Sequence, residues 1–142
     1  MTLCVLDSDH LSLYQRGHEP LRRYLSAVPP ERIAITIISV EELIRGRLAQ
    51  VRKATKPRER VRAYRWLWET LGFLCGFTIL EYDSRAESHF QALRAQKIRI
   101  GTQDLKIGAI VLSQGATVVT RNRRDFERIP NLEIEDWSLP KQ

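Results

Sequence analysis

The chain has 142 residues, enough for one domain with a proper core and too few for two of ordinary size. Hydrophobic residues make up 43% and charged residues 28%, which excludes an intrinsically disordered chain. The net charge of +6 points to a polyanionic partner, and the most apolar window, residues 71–80, is broken by Gly72 and Gly76 and too short to span a bilayer, so no membrane partner is expected.

Residues 3–6, Leu-Cys-Val-Leu, read as a strand buried on both faces, and it ends abruptly in Asp7, Ser8, Asp9 and His10. Residues 11–28 read as helix, broken near Gly17 and Pro20 and stopped by Pro29 and Pro30. Residues 33–37 read as a second buried strand. A helix follows over about residues 40–53, with Ile44, Leu48 and Val51 on one face. After Pro57 a long helix carries Val61, Tyr64, Trp68, Leu71 and Cys75 at spacings of three and four, the pattern of an apolar face. Residues 77–80 read as a third strand, and Ala86, Phe90 and Leu93 mark another helix. Residues 104–114 are nearly all apolar and include the small Gly108 and Ala109, which predicts a helix buried against a sheet and ended by Gly115. Residues 116–120 read as a fourth strand, and residues 132–135 alternate apolar and acidic, as an edge strand does. Strands alternating with helices predict an α/β fold in one compact domain, its parallel sheet covered on both faces.

Cys4 and Cys75 both sit in apolar surroundings and read as small buried thiols, not as a disulfide framework or a zinc site. A reducing, cytoplasmic setting fits them. The N-terminus lacks a basic segment followed by a long apolar one, so no signal peptide is expected. His10, His18 and His89 have no spacing suited to zinc, and neither a Gly-rich phosphate loop nor a nucleophile elbow is present. Basic residues concentrate between Arg45 and Arg65, with only Glu59 against them. That stretch is either a solvated helix face or a surface for nucleic acid or an acidic protein.

In parallel α/β folds, ligands bind outside the carboxyl ends of the strands. The first strand delivers Asp7 and Asp9 there, and the second is followed by Ser39, Glu41 and Glu42. The fourth is followed by Arg121, Asn122 and Asp125, and Asp104 opens the buried helix before it. Each acid also has a structural explanation. Ser39-x-x-Glu42 fits a capping box, and Asn122-x-x-Asp125 a looser version. Thr102 suits a cap for the helix whose first turn holds Asp104. Asp9 or Ser8 suits the cap of the first helix. Together, however, the acids would crowd one edge of the sheet, where two unit charges about 5 Å apart repel by roughly 3 kcal/mol at an effective dielectric near 20. A hard divalent cation, Mg²⁺ or Mn²⁺, offsets such a cost.

The segments "VLDSDHLS", "TIISVEELIRG" and "GTQDLKIGAIVLSQGATVVTRNRRDFERIPNLEIEDW" together resemble the PIN-domain ribonucleases, and most closely the VapC-type toxins of bacterial type II toxin–antitoxin pairs. The resemblance runs through nearly the whole chain in order and implies a single PIN domain over residues 1–142. Its fold would be three-layer α/β/α around a central, mainly parallel sheet of about five strands. It puts the family's metal-binding acids on Asp7, Glu42 (not Glu41), Asp104 and Asp125, with Thr120, Asn122 and Ser39 as polar support. Where the family commonly has Thr-Asn after the first Asp, this chain has Ser8-Asp9, and Asp9 reads as a helix cap or an outer acid. The implied activity is hydrolysis of RNA phosphodiesters by water activated on one or two Mg²⁺ or Mn²⁺ ions, leaving 5′-phosphate and 3′-hydroxyl ends. Arg121, Arg123 and Arg124 stand beside that site as candidates to hold the RNA backbone. A homodimer and a small inhibiting antitoxin are also implied, with a hetero-oligomer of the two as the alternative assembly. Two other readings stand beside it. Asp7-x-Asp9 after an apolar strand also resembles the haloacid-dehalogenase phosphatases, with Asp7 as nucleophile. A PIN-like domain that binds RNA or protein without cutting is the other.

Overall fold

The computed structural model describes residues 2–140. Its strands are short: β1 (Cys4–Leu6), β2 (Ile33–Thr36), β3 (Thr78–Leu80), β4 (Thr117–Val119) and β5 (Glu133–Glu135). Every residue of β1, β2 and β4 is buried. Runs with both faces covered belong at the centre of a parallel sheet. The strand order is accordingly β3-β2-β1-β4-β5, with the two more exposed strands at the edges. All pairings are parallel, with Cys4 to Leu6 opposite Thr117 to Val119 on one side and Cys4 and Val5 opposite Ile33 and Ala34 on the other.

Alternation along each strand sends side chains into two separate helical layers. Cys4, Leu6, Ile33, Ile35 and Val119 face Leu11, Leu21, Leu25, Leu43, Leu74 and Trp137. Those residues belong chiefly to α1 (Ser8–Gln15), α2 (Glu19–Ser26), α3 (Ile37–Lys53) and α4 (Pro57–Cys75). Val5 and Val118 face the opposite layer of α5 (Ser84–Ala95), α6 (Thr102–Ser113) and α7 (Arg123–Phe126), packing with Phe90, Leu93, Leu105, Ile110 and Phe126. This is the expected three-layer α/β/α architecture. The end of α6 shows how sequence sets a boundary. Gly115 adopts φ +60°, and the N–H groups of Ala116 and Gly115 return to the carbonyls of Val111 and Leu112, both at 3.1 Å. That pair of bonds closes a Schellman motif and turns the chain into β4.

The apolar stripe of α4 does not face the core: Val61 is exposed by 66%, Tyr64 by 57%, Trp68 by 71% and Leu71 by 48%. Cys75 is exposed too, so only Cys4 is the buried thiol expected. The buried residues of α4 are Ala63, Thr70 and Leu74. The physical reason lies in the helix it packs on. Arg47 of α3 donates from Nε to Thr70 Oγ1 (3.0 Å) and from Nη2 to Gln15 Oε1 (3.1 Å), and its guanidinium stacks 4.4 Å from the Trp66 ring centroid. Small and polar residues permit this close contact, which turns the bulky apolar stripe outward. On the α3 face Leu48 is exposed by 41%, whereas Ile44 is half-buried against the core.

Candidate active site

All strands run in one direction, so the residues after β1 and β4 and those opening α3 and α6 converge on one sheet edge. Asp7 is the N-cap of α1, its Oδ1 accepting the His10 N–H at 2.8 Å. Neither Ser8 nor Asp9 is the cap: the helix starts at Ser8, three residues earlier than the apolar pattern suggests, so both lie inside its first turn. Asp9 instead accepts two bonds from Arg121, from Nε (2.5 Å) and Nη2 (3.2 Å). The Asp9 carboxylate raises the Arg121 pKa above its ordinary value. Arg121 is therefore a paired cation and not a free one.

The expected capping box at Ser39 and Glu42 does not form. Thr36 caps α3, its Oγ1 accepting the Ser39 N–H at 3.1 Å. Glu42 is thereby released from the helix end. Its Oε1 accepts the Ser8 hydroxyl at 2.5 Å, and the buried Ser39 hydroxyl stands 2.9 Å from the same oxygen of Ser8. Glu41 points elsewhere, bonded to Arg45 (2.6 Å) and to Gln103 of α6 (2.9 Å). The two neighbouring glutamates are thus distinguished by their partners, and Glu42 is the one at the site.

Gly101 occupies the N-cap of α6, so Thr102 is not the cap, and Asp104 sits in the first turn. The Asp104 pKa is pushed up from 3.8 to about 6. Burial is the largest cause, followed by the charges of Asp7, Glu42 and Asp125, with a hydrogen bond from Asn122 acting the other way. After β4, the buried Thr120 accepts the Asn122 N–H at 2.9 Å, and Asn122 Nδ2 donates to Asp125 Oδ2 at 3.0 Å. That side-chain bond replaces the cap suggested by their spacing.

Asp7, Ser8, Asp9, Glu42, Asp104, Arg121 and Asn122 line one open depression of about 530 Å³, and Asp125 joins it through Asn122. Among the described residues no three His, Cys, Asp or Glu side chains are drawn tightly enough together to grip an ion. The donor set still fits a hard divalent cation: the oxygens are carboxylates, and burial together with their mutual repulsion raises Asp104. Arg123 pairs with Glu127 (3.5 Å) and donates to the Ile134 carbonyl (3.4 Å), whereas Arg124 is exposed and forms no ion pair among the described residues. Part of the basic stretch lines a second cavity of about 580 Å³, where Arg47, Lys53, Arg62 and Arg65 meet Arg16 and Trp66. Sequence reasoning missed the service of Ser8 to Glu42 and the burial of His10 beside Asp7. A hydroxyl directly after the first acid was the available signal for the former.

A family model described as PIN domain matches residues 5–132. The tRNA(fMet)-specific endonuclease VapC of Salmonella typhimurium is 36% identical over 110 residues, covering 75% of this chain and 76% of that protein. The protein of that name from Shigella flexneri is 31% identical over 111 residues, with coverage of 75% and 76%. Among solved structures, DNA-bound VapBC from Salmonella typhimurium superposes with a TM-score of 0.79 at 31% identity, over 96% of this chain and 99% of the other. VapBC2 from Rickettsia felis, bound to a DNA fragment from its promoter, gives 0.74 at 26% identity, over 95% and 98%.

Proposed function

The chain belongs to the PIN domain family, and from that premise we propose that it is a divalent-metal-dependent endoribonuclease, the toxin of a toxin–antitoxin pair. The observation that carries the reading is the gathering of Asp7, Glu42 and Asp104 around one depression at the strand ends, with Asp125 joined to it through Asn122. Nothing in the folding of α6 calls for that crowd, whereas phosphodiester hydrolysis does. A bound Mg²⁺ or Mn²⁺ supplies an activated water and neutralises charge that builds on the phosphate. The chain's own groups do the rest. Asp7, Glu42, Asp104 and Asp125 would hold the ion. Ser8, backed by Ser39, fixes the rotamer of Glu42, and Asn122, itself held by Thr120, steers Asp125. Arg123 and Arg124, exposed and next in the chain after Asn122, are the groups to attract RNA phosphates, with Arg121 oriented by Asp9.

RNA is the substrate class, and initiator tRNA, which the Salmonella relative's name specifies, is the first to try. The phosphatase alternative is disfavoured because Asp9, its acid/base, is bonded twice to Arg121. A binding module without activity has no use for all four acids. The partner is a small antitoxin, as in the neighbouring VapBC complexes. The uncovered stripe of α4, flanked by Arg58, Arg62 and Arg65, suits an amphipathic segment with acidic margins. We further propose a homodimer of single PIN domains acting in the cytoplasm. Among the described residues no helix is long and apolar enough to cross a membrane. The test is cleavage of tRNA by antitoxin-free protein in Mn²⁺. Arrest by EDTA and recovery on adding Mn²⁺ back are expected, and full-rate cleavage in EDTA would refute the metal mechanism.

A further inference from the structure

His10 is fully buried between the acid cluster and the segment after β5. Its Nε2 accepts the backbone N–H of Trp137 at 3.2 Å, a contact between residues 127 positions apart. Trp137 is itself locked in place, buried, stacked 4.6 Å from Tyr24 and donating from Nε1 to Glu135 (2.9 Å). Asp136 Oδ1 also lies 3.5 Å from Nε2, but it already accepts from the Ser138 N–H (2.8 Å) and hydroxyl (2.6 Å). With Nε2 serving as acceptor, the ring hydrogen belongs on Nδ1. That donor is buried and has no hydrogen-bond partner. The oxygen it faces, 3.5 Å away, is Asp7 Oδ1, the same atom held at 2.8 Å by the His10 N–H.

We propose that His10 is a positioning residue for Asp7. Its backbone N–H is bonded to Oδ1 and its ring Nδ1–H is aimed at the same atom, which leaves Oδ2 as the oxygen presented to the cation. Trp137 supplies the fixed point from which the ring is aimed, so the chain after β5 sets the orientation of the first acid. An orphaned buried donor is costly where a fold needs only an acceptor for the Trp137 N–H. A donor aimed at a carboxylate is also what holds that carboxylate against the like charges of Glu42 and Asp104.

This assignment rests on the metal reading of the site, and the test separates the two. Mn²⁺ binding is measured on chelator-treated protein by electron paramagnetic resonance, alongside melting curves without metal. Glutamine at this position reaches as far as Nε2 and keeps an acceptor for Trp137 but loses the donor at Asp7. Asparagine keeps a donor where Nδ1 stood and loses the Trp137 contact. His10→Gln is expected to melt near the parent and to bind Mn²⁺ about 10–100-fold more weakly. His10→Asn, which keeps the donor without its anchor at Trp137, is expected to melt lower than the parent and to bind Mn²⁺ more tightly than His10→Gln does. A parent-like Mn²⁺ affinity in His10→Gln overturns the assignment while the metal reading stands. A parent that binds no Mn²⁺ overturns both. Independently of any variant, ¹⁵N chemical shifts of the parent should show the Nδ1–H tautomer at His10, and an Nε2–H tautomer overturns the proposal.

Discussion

Asp104→Asn separates a metal ligand from a helix-terminus residue by stability alone. In the metal-free protein the carboxyl pKa stands at about 6 against 3.8 in an unstructured chain. The folded state therefore binds this proton more firmly than the unfolded state does. On this group's account stability falls as pH rises from about 4 to about 6, and levels off above. Converted in full, the shift is worth about 3 kcal/mol. The side chain is partly open to the depression, and solvent screening reduces this to about 1–2 kcal/mol. Removing negative charge from the first turn of α6 costs about 0.3–1 kcal/mol in the other direction. The net expectation is a variant more stable than its metal-free parent at neutral pH by about 1 kcal/mol, a rise of about 3 °C in melting temperature for a domain of this size. That advantage should shrink towards pH 4. Saturating Mn²⁺ should reverse the order, because the parent gains about 2.7 kcal/mol at a hundred times its dissociation constant and the variant gains much less. Melting curves across pH and Mn²⁺ decide the matter. A variant destabilised equally at every pH, with the parent's full Mn²⁺ response, would leave Asp104 as a helix-terminus residue and refute the reasoning.

Asp7→Asn keeps a good N-cap for α1, so its metal-free stability should stay within about 0.5 kcal/mol of the parent, while RNA cleavage falls by orders of magnitude. Ser8→Ala removes the bond to Glu42 and should reduce cleavage or Mn²⁺ affinity by about 10–100-fold, read by initial rates at fixed RNA and a Mn²⁺ titration. Trp68→Ala on the exposed stripe should weaken antitoxin binding by about 2 kcal/mol or more and leave RNA cleavage intact. Charge reversal at Arg58 and Arg62 should act on the same complex. A loss of cleavage with an unchanged complex would move that surface from the antitoxin to the RNA.

Much of this site was legible because buried strands announce their own ends. Asp7, Asn122 and Asp125 follow apolar runs that only a central parallel strand explains, and the topology then brings them to one edge. The bonds there were not legible. Three polar residues in a row after β1 gave no means of choosing the cap. Thr36 could not be recognised as the competitor of Ser39 until β2 was known to stop one residue before Ile37. The partner of His10 lies at the far end of the chain. For α4 the period was legible and the direction was not. Spacing shows that apolar residues share a face, and only the Arg47 contact with Thr70 and Trp66 shows which face meets the rest of the protein.

The chemistry of the cut ends tests the central claim most directly. Water attacking the phosphorus at a carboxylate-held metal centre leaves a 5′-phosphate and a 3′-hydroxyl. Attack by the substrate's own 2′-hydroxyl, which needs no such centre, leaves a 2′,3′-cyclic phosphate and a 5′-hydroxyl. RNA cut by the purified protein in Mn²⁺, mapped by end-labelling and mass spectrometry, is predicted to carry the first pair of ends. Fragments carrying the cyclic phosphate, formed equally well by Asp7→Asn, would contradict the account.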